Sequence, residues 1–356
     1  MRMVWVVGLL FALALLAITG STQLQQFAGA HGGTASHVPL ALLLAIPAGV
    51  VTLASAYLIE GLVVAWRRSS LKMLGEASGS VRLDALAVLL DLLSLRRLGY
   101  ILSLGLLYVI EAHSTQPATA LQARFLPSWG VQVGCLLLLA SFINYWVHRL
   151  EHTIPALWAL HKFHHSADRM SILTSHRGTA LTKGVEQILE SLPFLVFAVA
   201  LQPTVPKPDA SSVLFPLVVI YFLYQTFIRV NQYLVHSNLV TDYGWIGRWL
   251  LVSPRMHRLH HAKAPEYHNK NFTFDLVIWD RIFGTYATCD AAEVDAISLG
   301  LDDNPFNGGD SIRSVLRAYF LTSYVVFWQA LRNGIKAWMP PRSASAQTSA
   351  EPHREF

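Results

Sequence analysis

The sequence is poor in cysteine and in charge, and each shortage excludes a class of protein. The 356 residues include two cysteines, too few for a disulfide framework or for a zinc site built from four thiolates. Charged residues make up 14% of the chain, whereas about a quarter of a typical soluble domain is charged. The net charge is +5 and no Lys/Arg run of five or more occurs. The sequence therefore argues against a nucleic-acid-binding protein.

Apolar residues make up 53% of the chain, and they concentrate in long runs. A membrane-spanning helix needs about 20 mostly apolar residues. Four segments meet or approach that standard: Met3–Thr19, Val38–Trp66, Leu98–Ile110 and Trp129–Val147. The fold class predicted from this pattern is an all-α integral membrane protein with about four transmembrane helices.

Four further segments complete the predicted organisation. The apolar pair Ile188–Leu201 and Val213–Ile228 flanks a Pro-rich stretch and predicts a membrane hairpin. Leu83–Arg97 carries two aspartates on an apolar pattern, which favours an interfacial helix. Val315–Trp338 is interrupted by basic residues and predicts an amphipathic surface helix.

The distribution of Lys and Arg predicts the orientation of these segments. The loop from residue 20 to 37 has neither, whereas Arg67, Arg68, Lys72 and Arg82 follow the second run. By the positive-inside rule the second group lies in the cytoplasm. Counting spans onward from there places both histidine clusters on the cytoplasmic face, in a His-rich helical cap.

The domain boundaries follow these composition shifts. We predict an N-terminal transmembrane region at 1–128, a histidine-rich domain at 129–290, an amphipathic region at 291–339 and a disordered tail at 340–356. Residues 1–30 also fit a secretory signal, with Arg2, an apolar core and Ala28-Gly-Ala30. That alternative stays open beside a first span.

Histidines are the most informative residues, because nine of the 15 fall in two short clusters and a bridging segment. On a helix, residues three and four apart share one face. His148/His152 is an i, i+4 pair. His161/His164/His165 and His257/His260/His261 are i, i+3, i+4 triples. Each cluster can therefore direct two or three imidazoles at one point. The predicted metal ligands are His148, His152, His161, His164, His165, His236, His257, His260 and His261.

Nine imidazoles exceed the needs of one site, so we expect two metal ions. A zinc protease is excluded because Arg149, and not Glu, follows the first histidine. The carboxylates of soluble di-iron bundles are missing around the clusters. All-imidazole ligation leaves zinc, copper, iron and nickel open. A membrane metal transporter and a protein with structural zinc remain alternatives to an enzyme.

Five segments resemble the membrane-bound fatty acid hydroxylase and sterol desaturase superfamily. The three histidine boxes of that family are similar to His148-Arg-Leu-Glu-His152, His161-Lys-Phe-His164-His165 and His257-Arg-Leu-His260-His261. Asn231-Gln-Tyr-Leu-Val-His236 resembles its intermediate histidine segment, and Trp279-Asp-Arg-Ile-Phe-Gly-Thr-Tyr286 its closing segment. The resemblance covers roughly residues 141 to 286.

The resemblance implies a dinuclear iron centre held by the nine histidines, although zinc can replace iron in isolated protein. It also implies O2 as co-substrate and hydroxylation or desaturation of a membrane lipid, such as a sterol or fatty acyl chain. The chain has no dinucleotide-binding loop and no haem attachment motif. A separate electron-donor protein is therefore expected.

Several residues near the histidines have expected roles of their own. Tyr145, Trp146 and Trp158 are expected as interfacial anchors, with lining of the lipid entry as the alternative. Glu151, Asp168, Glu186 and Asp280 are candidates to accept hydrogen bonds from the outer N–H groups of the ligands, although a structural Asp280–Arg281 pair is also expected. Gln232 precedes His236 by one helical turn, and two roles stay open for it: weak ligation, directly or through water, or donation of a hydrogen bond. His176 is expected at an interfacial surface, with support of a metal ligand as the alternative, and His268 is left outside the ligand set. Asn271-Phe-Thr departs from the Asn-Tyr-Gly of many relatives.

Overall fold

The computed structural model describes residues 51–64, 66–76, 78–93, 129–186, 188–189, 227–307 and 309–338. The runs at 3–19 and 98–110, most of the hairpin and the tail at 340–356 lie outside these ranges. Within them the secondary structure is helical, and extended pairing is limited to two isolated β-bridges. The all-α prediction is confirmed for this part of the chain.

The helices are numbered here in chain order. They are α1 (51–63), α2 (Ser70–Glu76), α3 (Gly79–Leu93), α4 (Trp129–Thr153), α5 (Pro155–His165), α6 (180–186), α7 (227–236), α8 (Trp245–Trp249), α9 (Pro254–His260), α10 (Ile278–Ile282), α11 (Ala291–Ala296), α12 (Ile312–Arg317) and α13 (Ser323–Trp338). A 3-10 turn at Ile172–His176 follows α5. A π-helical turn at Ala318–Thr322 joins α12 to α13.

Two of the predicted spans fall partly or wholly in described helices. Helix α4 contains Trp129–Val147, and α1 covers part of Val38–Trp66. Among the described residues, no helix combines the length and the apolar character needed to cross a membrane. The transmembrane architecture therefore stays a prediction.

Proline determines where the two histidine-rich helices α5 and α9 begin. Pro155 and Pro254 occupy the first turn, where the missing N–H would have no helical partner anyway. Ser253 caps α9 by accepting a hydrogen bond from the Met256 amide at 3.4 Å. Because Ile154 alone separates α4 from α5, the two helices pack against each other directly after the turn.

Three apolar clusters surround these histidine-rich helices. The first joins α1, the 3-10 turn and α7, and the second joins α3, α5 and the C-terminal helices. The third lies between α7, α9 and the residue that precedes α10. Helix α5 is central to the second cluster, where Phe163 is fully buried between Phe306 and Tyr319. The histidine-rich helices are therefore part of the protein core.

Helix α3 turns its acidic residues into the protein, and its expected position at a membrane interface stays a prediction. Asp84 is 1% exposed and accepts hydrogen bonds from Arg177 Nε at 2.5 Å and Thr174 Oγ1 at 2.9 Å. Asp91, two helical turns further along the same face, contacts His176. The aspartates therefore attach α3 to the 3-10 turn, because a buried carboxylate needs hydrogen-bond donors from the protein around it.

Candidate metal centre

The nine predicted ligands come together in two groups of imidazoles. Within each group the candidate ligand atoms lie within 4.8 Å of one another. Eight of the nine side chains are buried, and His152 is partly exposed. The first group is His148, His152, His161, His165 and His260, and the second is His164, His236, His257 and His261.

The second and third boxes each contribute to both groups. In α5, the i, i+4 pair His161/His165 belongs to the five-histidine group, and His164 belongs to the other. In α9 and the residue after it, His257/His261 belongs to the four-histidine group, and His260 crosses to the first. A triple therefore directs two imidazoles at one point and the third elsewhere. The two groups are interlocked through both boxes.

Backbone carbonyls orient three of the imidazoles. Nδ1 of His148 donates to the Phe272 carbonyl at 2.5 Å, and Nδ1 of His260 donates to the Lys270 carbonyl at 2.8 Å. Nδ1 of His236 donates to the Gln232 carbonyl at 2.7 Å, one turn earlier in α7. Donation from Nδ1 leaves Nε2 unprotonated, with its lone pair directed into the group.

The closest contacts between imidazoles are short distances between Nε2 atoms. They measure 3.1 Å for His148–His161 and 3.2 Å for His161–His165 in the first group. In the second group they are 3.1 Å for His164–His236 and 2.8 Å for His236–His257. Two nitrogens bound to one ion at about 2.0–2.1 Å lie roughly 2.9–3.4 Å apart for angles between 90° and 110°.

The His148–His161 contact tests whether a cation fits. Nδ1 of His148 donates to a carbonyl, and Nδ1 of His161 lies 3.2 Å from a carboxylate oxygen of Glu151. The His161–Glu151 approach is an ionic contact without hydrogen-bond geometry, and the negative carboxylate favours a proton on that Nδ1. With both Nδ1 atoms protonated, two lone pairs face each other across 3.1 Å. That arrangement is repulsive unless a cation lies between them. The buried Nε2 atoms of His152 and His260, which make no hydrogen bond, give the same indication. The residues fit a metal ion.

Burial keeps these imidazoles neutral, which is the form that binds a metal. It lowers the pKa of His236 to about 3 and that of His260 to about 4. The pKa values of the other seven are also well below their usual range, first through burial and then through neighbouring histidines. A set of neutral nitrogen donors suits iron, zinc, copper or nickel.

Of the four carboxylates considered as partners for the ligands, Glu151 makes the direct contact, with His161. Glu186 lies within 4.8 Å of both and pairs with Lys183 at 2.8 Å. Asp280 acts through the backbone, accepting from the Phe272 amide whose carbonyl orients His148.

The remaining carboxylate predictions need correction. Asp168 is exposed, and no hydrogen bond from an imidazole to it is found among the described residues. The expected Asp280–Arg281 pair is not formed. Arg281 instead donates to the Arg248 carbonyl and lies over the rings of Trp249 and Tyr286.

His176 is buried, so its expected position at a surface is wrong. Its Nδ1 lies 2.7 Å from Asp91 Oδ2 and its Nε2 lies 3.1 Å from the Tyr233 hydroxyl. These contacts join α3, the 3-10 turn and α7 outside the two groups. His268 is exposed and lies outside both groups, as expected. Gln232 contributes its backbone carbonyl.

Aromatic residues pack on both sides of the first box. Tyr145 is fully buried and stacks on Phe283, with ring centroids 5.2 Å apart, so interfacial anchoring does not describe it. Trp158 lies 5.1 Å from His152 and 5.5 Å from His165, measured between ring centroids. It is therefore a wall of the five-histidine group.

The segment 270–273 was not recognised from sequence as part of the site. Asn271 adopts φ of +55° and is fully buried. Its side chain donates to the carbonyls of Met256 and Ala287 and accepts from the Ala287 amide. Its neighbours Lys270 and Phe272 provide the carbonyls that orient two histidines. The available signal was the asparagine itself, which tolerates this left-handed conformation better than most residues.

Comparison with protein families finds a match between residues 133–285 and the fatty acid hydroxylase family model. Among curated proteins, alkylglycerol monooxygenase of Danio rerio is 33% identical over 52% of this chain and 36% of its own length. Ornithine lipid hydroxylase of Rhizobium tropici is 29% identical over 48% of this chain and 47% of its own length. A fatty acid hydroxylase of a Lecanicillium species is 25% identical over 52% and 50%.

The alignments therefore cover half or less of each of these relatives. No solved structure matches the chain. The matched segment extends from α4 to the end of the turn after α10, and it contains all nine clustered histidines and the segment 270–273.

Proposed function

We propose that this chain, whose residues 133–285 match the fatty acid hydroxylase family model, is an O2-dependent lipid C–H oxidoreductase of that superfamily with a dinuclear iron centre. The observation that carries the proposal is the pair of buried imidazole groups with converging Nε2 atoms. Buried Nε2 lone pairs that accept no hydrogen bond destabilise a folded protein. Binding two cations accounts for them.

We assign the nine histidines as ligands, five to one ion and four to the other. Bound iron would supply the oxidant that amino-acid side chains lack, and the protein would supply position and a dry environment. Phe272, Lys270 and Gln232 hold the imidazoles through their carbonyls, while Glu151 retains the proton on His161 Nδ1. The burial of these groups excludes water from around the donors.

Hydroxylation is the reaction that the names of the relatives favour. Its balance is R–H + O2 + 2 e⁻ + 2 H⁺ → R–OH + H2O, so one oxygen atom enters the lipid and the other leaves as water. The two electrons come from a separate electron-donor protein. The relatives act, by their names, on an alkylglycerol, an ornithine lipid and a fatty acid. We therefore propose a long-chain lipid as substrate.

A membrane location follows from the substrate and from the exposed side chains. Helix α1 exposes Leu58, Leu62 and Val63 by about half, and α4 exposes Leu138 by 47%. Large exposed apolar patches are typical of surfaces that contact lipid or protein. We propose that 1–128 anchors the chain, that 129–290 is the oxidising domain facing the cytoplasm, that 291–339 supports it and that 340–356 is a tail.

The test is the metal content and lipid product of the detergent-purified full chain. About two irons per chain are expected, together with a lipid that acquires oxygen from isotopically heavy O2. His257→Ala and His260→Ala should each remove about one metal and abolish product, whereas His268→Ala, at an exposed histidine, should behave as wild type.

Two other results would contradict the proposal. One metal or none in folded protein would overturn the dinuclear centre. Two zincs that resist replacement by iron, with O2 uptake absent after iron reconstitution, would identify a non-catalytic relative with structural metal.

A further inference from the structure

A cavity of about 450 Å³ lies beside the third histidine box, and none of the nine proposed metal ligands lines it. Four cationic side chains line it, namely Arg68, Arg169, Arg258 and Lys263. Two carboxylates, Asp168 and Asp295, line it as well. The lining residues therefore carry an excess of two positive charges.

Two of the cations are already neutralised. Arg68 makes a bidentate pair with Asp295, at 3.0 and 3.1 Å, and Arg169 pairs with Glu76 at 2.6 Å. Both arginines are more than half exposed and lie at the rim. They are therefore poor candidates for a ligand that must compete with existing partners.

Arg258 and Lys263 are the cations without a close carboxylate. Arg258 is 9% exposed, and its bonds go to two neutral oxygens, the Val294 carbonyl at 3.0 Å and Asn238 Oδ1 at 3.2 Å. Among the described residues, no carboxylate lies within ion-pair distance of it. The nearest carboxylate to Lys263 is Asp302 at 4.0 Å, whose side chain is 85% exposed.

The carboxylate of Asp295 acts on Arg258 from beyond ion-pair distance, and its two oxygens are already bound by Arg68. A nearly buried guanidinium without a directly contacting anion is costly, because charge in a low-dielectric environment needs compensation. A bound anion supplies that compensation. Arginine matches the oxygens of a phosphate with its planar fork, and lysine adds a point charge. We propose that this cavity binds a phosphate group, with Arg258 and Lys263 as its main contacts.

The depth of Arg258 favours a small ligand over an acidic protein surface. A cavity of this volume falls in the range of about 300–1,000 Å³ that is typical of small-molecule sites. A flat acidic surface would first meet Arg68 and Arg169, which are already paired. The phosphate therefore belongs to a lipid headgroup or to a soluble phosphate ester.

The position of the cavity connects it to the proposed centre. Arg258 occupies the same helical turn as His257 and His260, so an anion that orders its guanidinium also restrains α9. Arg68 lies two residues after the end of the predicted span 38–66, which would place the rim at the depth of lipid headgroups.

The first test uses the full-length, metal-loaded protein in uncharged detergent, with inorganic phosphate as the probe. Phosphate should raise the unfolding temperature more than chloride at equal ionic strength, because it binds the folded state. Lys263→Gln should weaken the apparent phosphate Kd about tenfold, since one charge-assisted contact is lost. Arg313→Gln, at an exposed arginine outside the cavity, should leave the Kd unchanged.

Arg258→Gln provides a second variant, and its metal content is measured alongside because it adjoins two proposed ligands. Arg258→Gln should lose the stabilisation by phosphate. Lys263→Gln, which lies further in sequence from the proposed ligands, should keep the full metal content. The proposal is overturned if phosphate and chloride act alike, or if Arg313→Gln weakens binding as much as Lys263→Gln. Binding of an acidic protein without any phosphate response would also overturn it, in favour of a docking surface.

A second set of measurements identifies the source of the phosphate. Nanodiscs of phosphatidylcholine with phosphatidic acid should stabilise the chain, and reduce its response to added phosphate, if a lipid headgroup is the ligand. If the ligand is a soluble ester, glycerol 3-phosphate should stabilise the chain and reduce its response to added phosphate, whatever the lipid composition of the nanodisc. Metal content and lipid oxidation are read on the same samples, so failure here leaves the proposed function separately measurable.

Discussion

The carboxylate of Glu151 lies 3.2 Å from His161 Nδ1, and both side chains are less than 8% exposed. A negative partner on the outer nitrogen fixes the tautomer and makes the inner nitrogen a better donor. It also offsets part of the charge that two divalent ions would bring into a site whose proposed ligands are all neutral.

Glu151→Gln keeps the size of the side chain and removes its charge. We expect metal affinity to fall about 10- to 100-fold, as found for groups that support ligating histidines. The measurement is metal retention against a competing chelator. Asp302→Asn removes an exposed carboxylate and serves as the control. Equal retention in Glu151→Gln and wild type would show that this carboxylate has no influence on metal binding.

At the scale of an element, the segment 270–273 connects the first and third histidine boxes. Its two carbonyls orient His148 and His260, and the Asn271 side chain makes three hydrogen bonds to backbone groups of Met256 and Ala287. This segment determines the relative position of α4 and α9 because each carbonyl is directed at one of them.

Asn271→Ala should lower the free energy of unfolding by about 2–4 kcal/mol. Three hydrogen bonds at roughly 1 kcal/mol each are lost, and alanine at φ of +55° adds about 1 kcal/mol of strain. Asn271→Gly removes the same bonds without the strain, so it should be the milder variant. Denaturant titration of the purified protein measures both. A glycine variant less stable than the alanine variant would contradict this account.

The pair formed by Asp84 and Arg177 attaches α3 to the 3-10 turn, and both side chains are 1% exposed. Removing one partner leaves an uncompensated buried charge, so Asp84→Asn should cost about 3–5 kcal/mol of unfolding free energy. Lys72→Gln breaks the exposed Lys72–Glu76 pair at 3.8 Å and should cost about 0–1 kcal/mol. Similar losses of unfolding free energy for the two variants, in parallel denaturant titrations, would argue against a stabilising role of the buried Asp84–Arg177 pair.

At the scale of the whole molecule, metal binding and folding should be coupled. The two groups unite α4, α5, α7 and α9, and without cations they bring lone pairs into contact. Ions present at about 1,000 times their Kd stabilise the folded state by about 4 kcal/mol. For a chain of 356 residues that corresponds to a fall of roughly 5 °C in Tm on chelation.

The expected result is a lower Tm after chelator treatment and its recovery after ferrous iron is added, both measured by thermal unfolding. His268→Ala should show the same fall and recovery, since this histidine lies outside both groups. A Tm that chelation does not change, in protein shown to have lost its metal, would contradict the coupling.

Local patterns explain which features were predictable. The helices that contain the boxes, the helical start at Ser253-Pro254 and the C-terminal helix follow from spacing, capping and periodicity within one segment. The buried positions of His176 and Tyr145 were mispredicted, because their partners come from sequence-distant elements. Asp91 lies 85 residues from His176, and Thr285 lies 140 residues from Tyr145.

The sequence by itself determined that nine histidines occupy helical faces at three- and four-residue spacings, because that periodicity is a local property of the α-helix. Tertiary structure decided their division into five and four. Which imidazole of a triple joins which group depends on how α5 and α9 face α4 and α7. Tertiary structure also decided the cavity lined by cationic side chains, because Arg68, Arg169 and Arg258 are brought together only by packing.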